Sequence, residues 1–311
     1  MSFTKTASLL FLSLPFLLFS CGGDPEAARL SSDARAGDGQ AQGLYNASLA
    51  TDQAGNSGKA IKGYKKIIKD YPMSPVAAES QFRLAQLQQQ EGDLTDAFDS
   101  YDTFLKNYPA SPNYSKAIKQ QEIIAHGVAE GQIKNSFLGL KSRLDSKRTA
   151  EMLGKVRDNA PRSLSAEKAQ FAIGNVYKSR KRPDDAINAF RTLTRDYPLS
   201  SYAPEAQFQI GKLLLDAAEK GNQDSANLDE ARNAFQDLLL RYPNSKRSGD
   251  AKREIAKIGS GEIQRSFDIA EFYRKKGQNN SAILYYKEVM RTAKPGPLRN
   301  QAAARIAELG G

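Results

Sequence analysis

Apolar residues return along most of this chain at intervals of three and four. The stretch NSGKAIKGYKKIIKDYP, residues 56–72, sets Ala60, Ile61, Tyr64, Ile67, Ile68 and Tyr71 on one stripe. DLTDAFDSYDTFLKNYP, residues 93–109, does the same with Leu94, Ala97, Phe98, Tyr101, Leu105 and Tyr108. That period belongs to an amphipathic helix and not to a strand. Each stripe ends in Tyr-Pro, a pair found at Tyr71, Tyr108, Tyr197 and Tyr242. Proline disfavours a helical backbone in the residue before it, so each helix is expected to stop near the tyrosine. Two residues beyond each proline stand Ser74, Ser111, Ser200 and Ser245, whose hydroxyls suit the cap of a following helix. Pro75 and Pro112 suit the first position of that helix. The phrase therefore stops one helix, turns and starts another.

The next helix has its own signature. Phe82, Leu84 and Ala85 lead to Gly92 and Ala97; Phe171, Ile173 and Gly174 lead to Ala186; Phe267, Ile269 and Ala270 lead to Gly277 and Ala282. Ala206, Phe208, Ile210 and Gly211 repeat its start. Small residues at these places let paired helices approach closely. The pattern resembles the tetratricopeptide repeat, a helix-turn-helix unit of about 34 residues. The resemblance implies an all-α helical solenoid of five to six pairs over residues 41–311, in two halves, 41–161 and 162–311. A single pair cannot bury its apolar face alone, so neighbours must stack and present an extended surface for binding.

The spacing also stutters. Pro72 to Pro109 is 37 residues, but Pro109 to Pro161 and Pro243 to Pro295 are each 52. The extra length predicts two long first helices, about 113–141 and 246–276, with Gly127, Gly131, Gly259 and Gly261 as places to bend. GNQDSANLD, residues 221–229, reads as an inserted loop.

The first twenty residues depart from this pattern. Lys5 precedes an apolar run from Ala7 to Phe19, interrupted by Pro15 and too short for a comfortable membrane span. It reads as an export signal, residues 1–20. Leu18-Phe19-Ser20-Cys21-Gly22 resembles the bacterial lipobox, which implies that Cys21 becomes the acylated first residue. Cys21 is the only cysteine, so it has no internal disulfide partner. Several acyl chains would anchor it stably, at about 0.8 kcal/mol per buried methylene. Residues 21–40, small and polar, read as a flexible tether.

Charge and composition narrow the chemistry. The chain carries a formal net charge of +10, no Trp and one His. The basic excess is densest from Lys141 to Arg182, and Lys178, Arg180, Lys181 and Arg182 form its tightest run. That run suits anionic lipid heads or an acidic partner face; nucleic acid is not expected in the envelope. His126 is expected at a helix end or on the surface. No nucleophile elbow, phosphate loop or Cys/His cluster is legible, so no catalytic residue, metal or cofactor is expected. Asp184-Asp185 and the acidic run from Asp93 sit where helix starts welcome negative charge. Aromatics recur on the first helices; Phe82, Gln86, Gln89, Phe171, Asn175 and Lys178 are the groove candidates.

Lipobox, tether, Tyr-Pro-x-Ser joints and a long penultimate helix together resemble the BamD family of outer-membrane assembly lipoproteins. The resemblance is clearest in the stretches 43–75 and 266–297. It implies a non-enzymatic scaffold, lipid-anchored at the periplasmic face of the outer membrane. Its implied partners are a barrel-forming subunit with periplasmic repeats, other assembly lipoproteins and unfolded outer-membrane proteins. Envelope proteins that coordinate peptidoglycan synthesis or division also use Tyr-Pro-x-Ser repeats, and remain the alternative.

Overall fold

The computed structural model describes residues 25–131, 135–137, 140–142, 144–220 and 225–311; of these, 25–36, 135–142 and 225 are described by backbone alone. The signal, Cys21 and most of the inserted loop's first half lie outside them. Helices α1 (Pro25–Gln53), α2 (Ser57–Asp70), α3 (Ala77–Gln90), α4 (Leu94–Asn107) and α5 (Tyr114–Ala129) come first. A two-stranded antiparallel hairpin follows, β1 (Asn135–Phe137) with β2 (Leu140–Ser142), in the register Phe137 opposite Leu140. Then come α6 (Ser146–Asn159), α7 (Leu164–Ser179), α8 (Pro183–Asp196), α9 (Ala203–Lys220), α10 (Ser225–Arg241), α11 (Ser248–Lys275), α12 (Asn279–Thr292) and α13 (Pro297–Glu308). The fold is the expected all-α tetratricopeptide architecture, with the hairpin as its one described β element.

The chain divides into two compact units after Arg83. In the first, α1 packs on α2. Residues 25–40, expected as a tether, are helical. Ala27, Ala28, Ala34 and Ala36 explain why, since alanine is the best helix former. Asp52 gathers the Tyr64 hydroxyl at 3.3 Å and the Arg83 guanidinium. Burial, reinforced by the charge of Asp52, pushes the Tyr64 phenol up to about 12.

In the second unit each element packs on its neighbour from α4 through α13, the hairpin apart. The stripes explain the core. Ala97, Phe98, Tyr101 and Leu105 are buried on α4, as are Ala186, Phe190 and Leu193 on α8. Small residues on the first helix let a ring of the second close on it. A Cβ added at Gly211 would lie 2.5 Å from Cε1 of Phe235, and one at Gly174 would run into Phe190. Gln170 and Gln207 reinforce this contact, donating at 2.9 Å to the carbonyls of Ala189 and Ala234 on the partner helices. Each amide is buried, so the bond spares an unpaired polar group.

The joints work differently from the expected cap. The tyrosine N–H closes the last helical turn, as Tyr197 does to Leu193 at 2.8 Å, and the serine N–H turns back to the tyrosine carbonyl. The hydroxyls of Ser111 and Ser200 accept from the amides of Asn113 and Tyr202, two residues on. They fold a local turn before the helix begins, and Pro75 and Pro112 lie in that turn, outside α3 and α5. Ser163, two residues beyond Pro161 where no Tyr-Pro stands, does act as a helix cap, accepting from the Ala166 amide at 3.1 Å.

The two long helices diverge. Residues 248–275 form one unbroken helix through Gly259 and Gly261. Residues 113–141 do not: α5 ends at Ala129, Gly131 takes φ +73, and the hairpin follows.

Candidate partner-binding face

The first helix of each pair turns one stripe toward its partner and leaves the next stripe available. On α7 the inward stripe is Gln170, Ile173 and Gly174; Phe171, Asn175 and Lys178 lie beside it. On α9 Phe208 and Lys212 correspond to Phe171 and Asn175, while the buried Leu215 stands in the place of Lys178. Two clefts open along this face.

The first cleft, about 350 Å³, lies between α5 and α7 and is closed at one side by the turn before α9. Phe171 and Asn175 line it, with His126, Glu130, Lys168 and Tyr202. Phe171 stacks on Tyr202 with centroids 5.1 Å apart and meets Phe190 at a tilt, 5.6 Å away. His126 lies in the last turn of α5, one of its two expected places, but it is not on the surface: it is only 7% exposed and its Nε2 has no hydrogen-bond partner. Burial, aided by the nearby Lys168 charge, pushes its pKa below the usual imidazole value.

The second cleft, about 550 Å³, runs along α9 from the turn between α7 and α8. Lys178, Lys181, Lys212 and Lys220 stand around a floor that includes Phe208 and Leu213. Phe208 is held from both sides, by Phe235 at 5.5 Å and by the Arg247 guanidinium 4.7 Å from its centroid. Arg247 is itself fixed by Glu205 at 2.5 Å and Asp250 at 2.8 Å. Burial would raise the Glu205 carboxyl, but hydrogen bonds from Arg247 and Gln209 outweigh it and hold the group below the usual carboxylate range.

The predicted site residues therefore separate. Phe171, Asn175 and Lys178 do line clefts. Phe82 is buried, and Gln89 is engaged with Gln120 at 2.9 Å and Tyr101 at 3.0 Å. Gln86 is half-buried on α3. The basic run also divides. Arg180 donates to the Leu144 carbonyl at 2.8 Å, and Arg182 pairs with Asp185 at 2.7 Å while covering the Tyr177 ring. Upstream, Arg148 and Lys155 tie α6 to Asp99 and Asp102 of α4 at 2.7 and 2.8 Å. Several cations of the predicted patch are thus engaged in internal bonds, and the cleft lysines come from α7, from the turn after it and from α9. Lys212 and Lys220 were missed because they follow Phe208 by 4 and 12 positions, outside the dense run.

Among the described residues no group of three or more His, Cys, Asp and Glu side chains is arranged to hold a metal. None of the described helices is long and apolar enough to cross a membrane.

Comparison with known proteins now adds the lineage. The sequence pattern of the family described as "YfiO: Outer membrane lipoprotein" matches residues 37–220 and 214–304. The chain belongs to the YfiO family of outer membrane lipoproteins. This is the BamD-type family that the joints and the lipobox pointed to. Its repeat architecture is that of a protein-interaction scaffold rather than of an enzyme family. Solved structures similar to it include tetratricopeptide repeat proteins. A tetratricopeptide repeat protein from Parabacteroides merdae shares 13% identity at TM-score 0.29, covering 87% of this chain and 99% of its own. PilF of Pseudomonas aeruginosa shares 16% at TM-score 0.30, covering 88% and 99%. The P58(IPK) repeat domain shares 13% at TM-score 0.36, covering 87% and 78%. No curated relative matches the chain.

Proposed function

We propose that this YfiO-family protein is a lipid-anchored scaffold at the periplasmic face of the outer membrane, where it binds other components of barrel assembly and unfolded outer-membrane proteins. The observation that carries this reading is the family match from residue 37 to 304, taken with the lipobox at Cys21. The clefts beside Phe171, Asn175 and Lys178 are its contact surface. A scaffold needs shape and placed polar groups rather than a reactive centre, and both clefts combine an aromatic wall with convergent charges. No cofactor enters this function.

Purification under mild detergent should recover a large barrel protein with periplasmic repeats. Recovery of peptidoglycan synthases in its place would move the protein to the division-coordination role. Cys21→Ser should leave the helical body folded, by circular dichroism, yet release it from membranes on fractionation. Membrane retention of that variant would remove the anchor from the proposal.

A further inference from the structure

The turn between α7 and α8 is built from the wrong residue for its backbone. Where a left-handed turn joins two helices directly, it stands five residues before the small residue of the second helix. Gly55 precedes Ala60, Gly92 precedes Ala97 and Gly277 precedes Ala282, with φ of +77, +84 and +71. The equivalent residue before Ala186 is Lys181, with φ +57. It is the one non-glycine at positive φ among the described residues. Glycine takes this conformation freely, whereas a side chain there crowds the carbonyl. The chain thus accepts strain at one turn and keeps a lysine there.

That lysine stands at the mouth of the α9 cleft. Lys181 and Lys220 form no ion pair among the described residues, and Lys178 donates only to the neutral Gln209 at 3.1 Å. Lys212 reaches Glu254 at 3.4 Å, and Asp216 is the single acid in the lining. A recess with three lysines outside any ion pair among the described residues, a fourth shared with Glu254, and one acid lacks negative charge, and its apolar floor offers a seat for an apolar side chain. A flat bilayer could touch the rim but could not reach the floor.

We propose that this cleft binds an acidic peptide segment of a partner protein, with carboxylates at Lys178, Lys181 and Lys220 and an apolar side chain over Leu213. The proposal deepens the scaffold reading, resting on this face being the one that binds protein, and it names the chemistry of the partner. Strain at Lys181 persists because the turn sets the ammonium at the cleft mouth.

The test uses the full chain in neutral detergent and a fluorescein-labelled peptide, Glu-Asp-Leu-Phe-Asp-Glu, read by anisotropy. Binding should weaken with salt, and a Lys-Lys-Leu-Phe-Lys-Lys peptide should not bind. Lys181→Gly relieves the strain, so its melting temperature should not fall, while peptide affinity drops about two- to fivefold, the range of one exposed charge contact. Lys181→Gly with Lys220→Gln should lose more. Equal affinity in wild type and Lys181→Gly, or equal binding of the basic peptide, overturns the proposal. So does loss of binding to phosphatidylglycerol vesicles in Lys181→Gly with peptide binding intact, which would assign the lysines to lipid. Peptide binding without recovery of a barrel protein would sink the assembly role and keep the cleft; the converse would do the reverse.

Discussion

Residues 113–141 and 246–276 occupy the same place in the repeat spacing, carry paired glycines and share the same excess length, yet only the second is one helix. The difference lies in what each half has to pack against. The first half of α11 puts Ala251 and Ile258 into the core shared with α9 and α10. Its second half puts Ala270, with Phe267 and Tyr273 beside it, against α12 and α13. One rod serves two helix pairs, and burial on both sides offsets Gly259 and Gly261, at about 1 kcal/mol each. Around Gly131 the chain takes the left-handed turn that ends α5, and a hairpin follows. Excess length between joints therefore specifies added chain and not added helix.

Breaking the continuous rod should have the largest effect. Ser260→Pro removes a backbone donor between the two cores and should cost about 3 kcal/mol. Amide exchange should then accelerate across residues 255–275; unchanged protection there would mean that the two halves of α11 are not coupled. The glycines sharpen the contrast next, because the same substitution should have opposite signs. Gly131→Ala forces a side chain into φ +73 and should destabilise by about 1–2 kcal/mol in thermal melts. Gly259→Ala has open space around its Cβ and should stabilise by about 1 kcal/mol. A loss of stability in Gly259→Ala would mark that site as a needed hinge.

The smallest expected effect is pH-dependent. His126 in α5 faces Lys168 together with Glu122 and Glu130, and burial holds its native pKa below the usual imidazole value of about 6.5. The unfolded chain therefore takes up a proton first as pH falls through about 6.5, and native stability declines toward the lower native value. His126→Gln should flatten the melting temperature between pH 7 and 5. An unchanged slope would place the titrating group elsewhere.

Much of the candidate face was legible. Phe171, Asn175 and Lys178 could be placed beside the packing stripe by helical period alone. Phe82 and Gln89 follow the same rule and yet are covered or bonded, because period places a residue on a stripe without saying what neighbour fills the space beside it. Arg180 and Arg182 looked like open charge and instead bond Leu144 and Asp185. Lys181 was visible as one more cation, and its meaning came only from the backbone angle it shares with three glycines.

The sequence by itself determined the helix pairs, their Tyr-Pro stops and the small residues at which paired helices close. These depend on local period, on proline's fixed ring and on side-chain size, all of which act between near neighbours. The fate of the added lengths, the partners of the basic run and the strain at Lys181 were decided only by the tertiary structure. Each depends on which groups from distant parts of the chain share one volume, and a charge or a glycine carries no record of that.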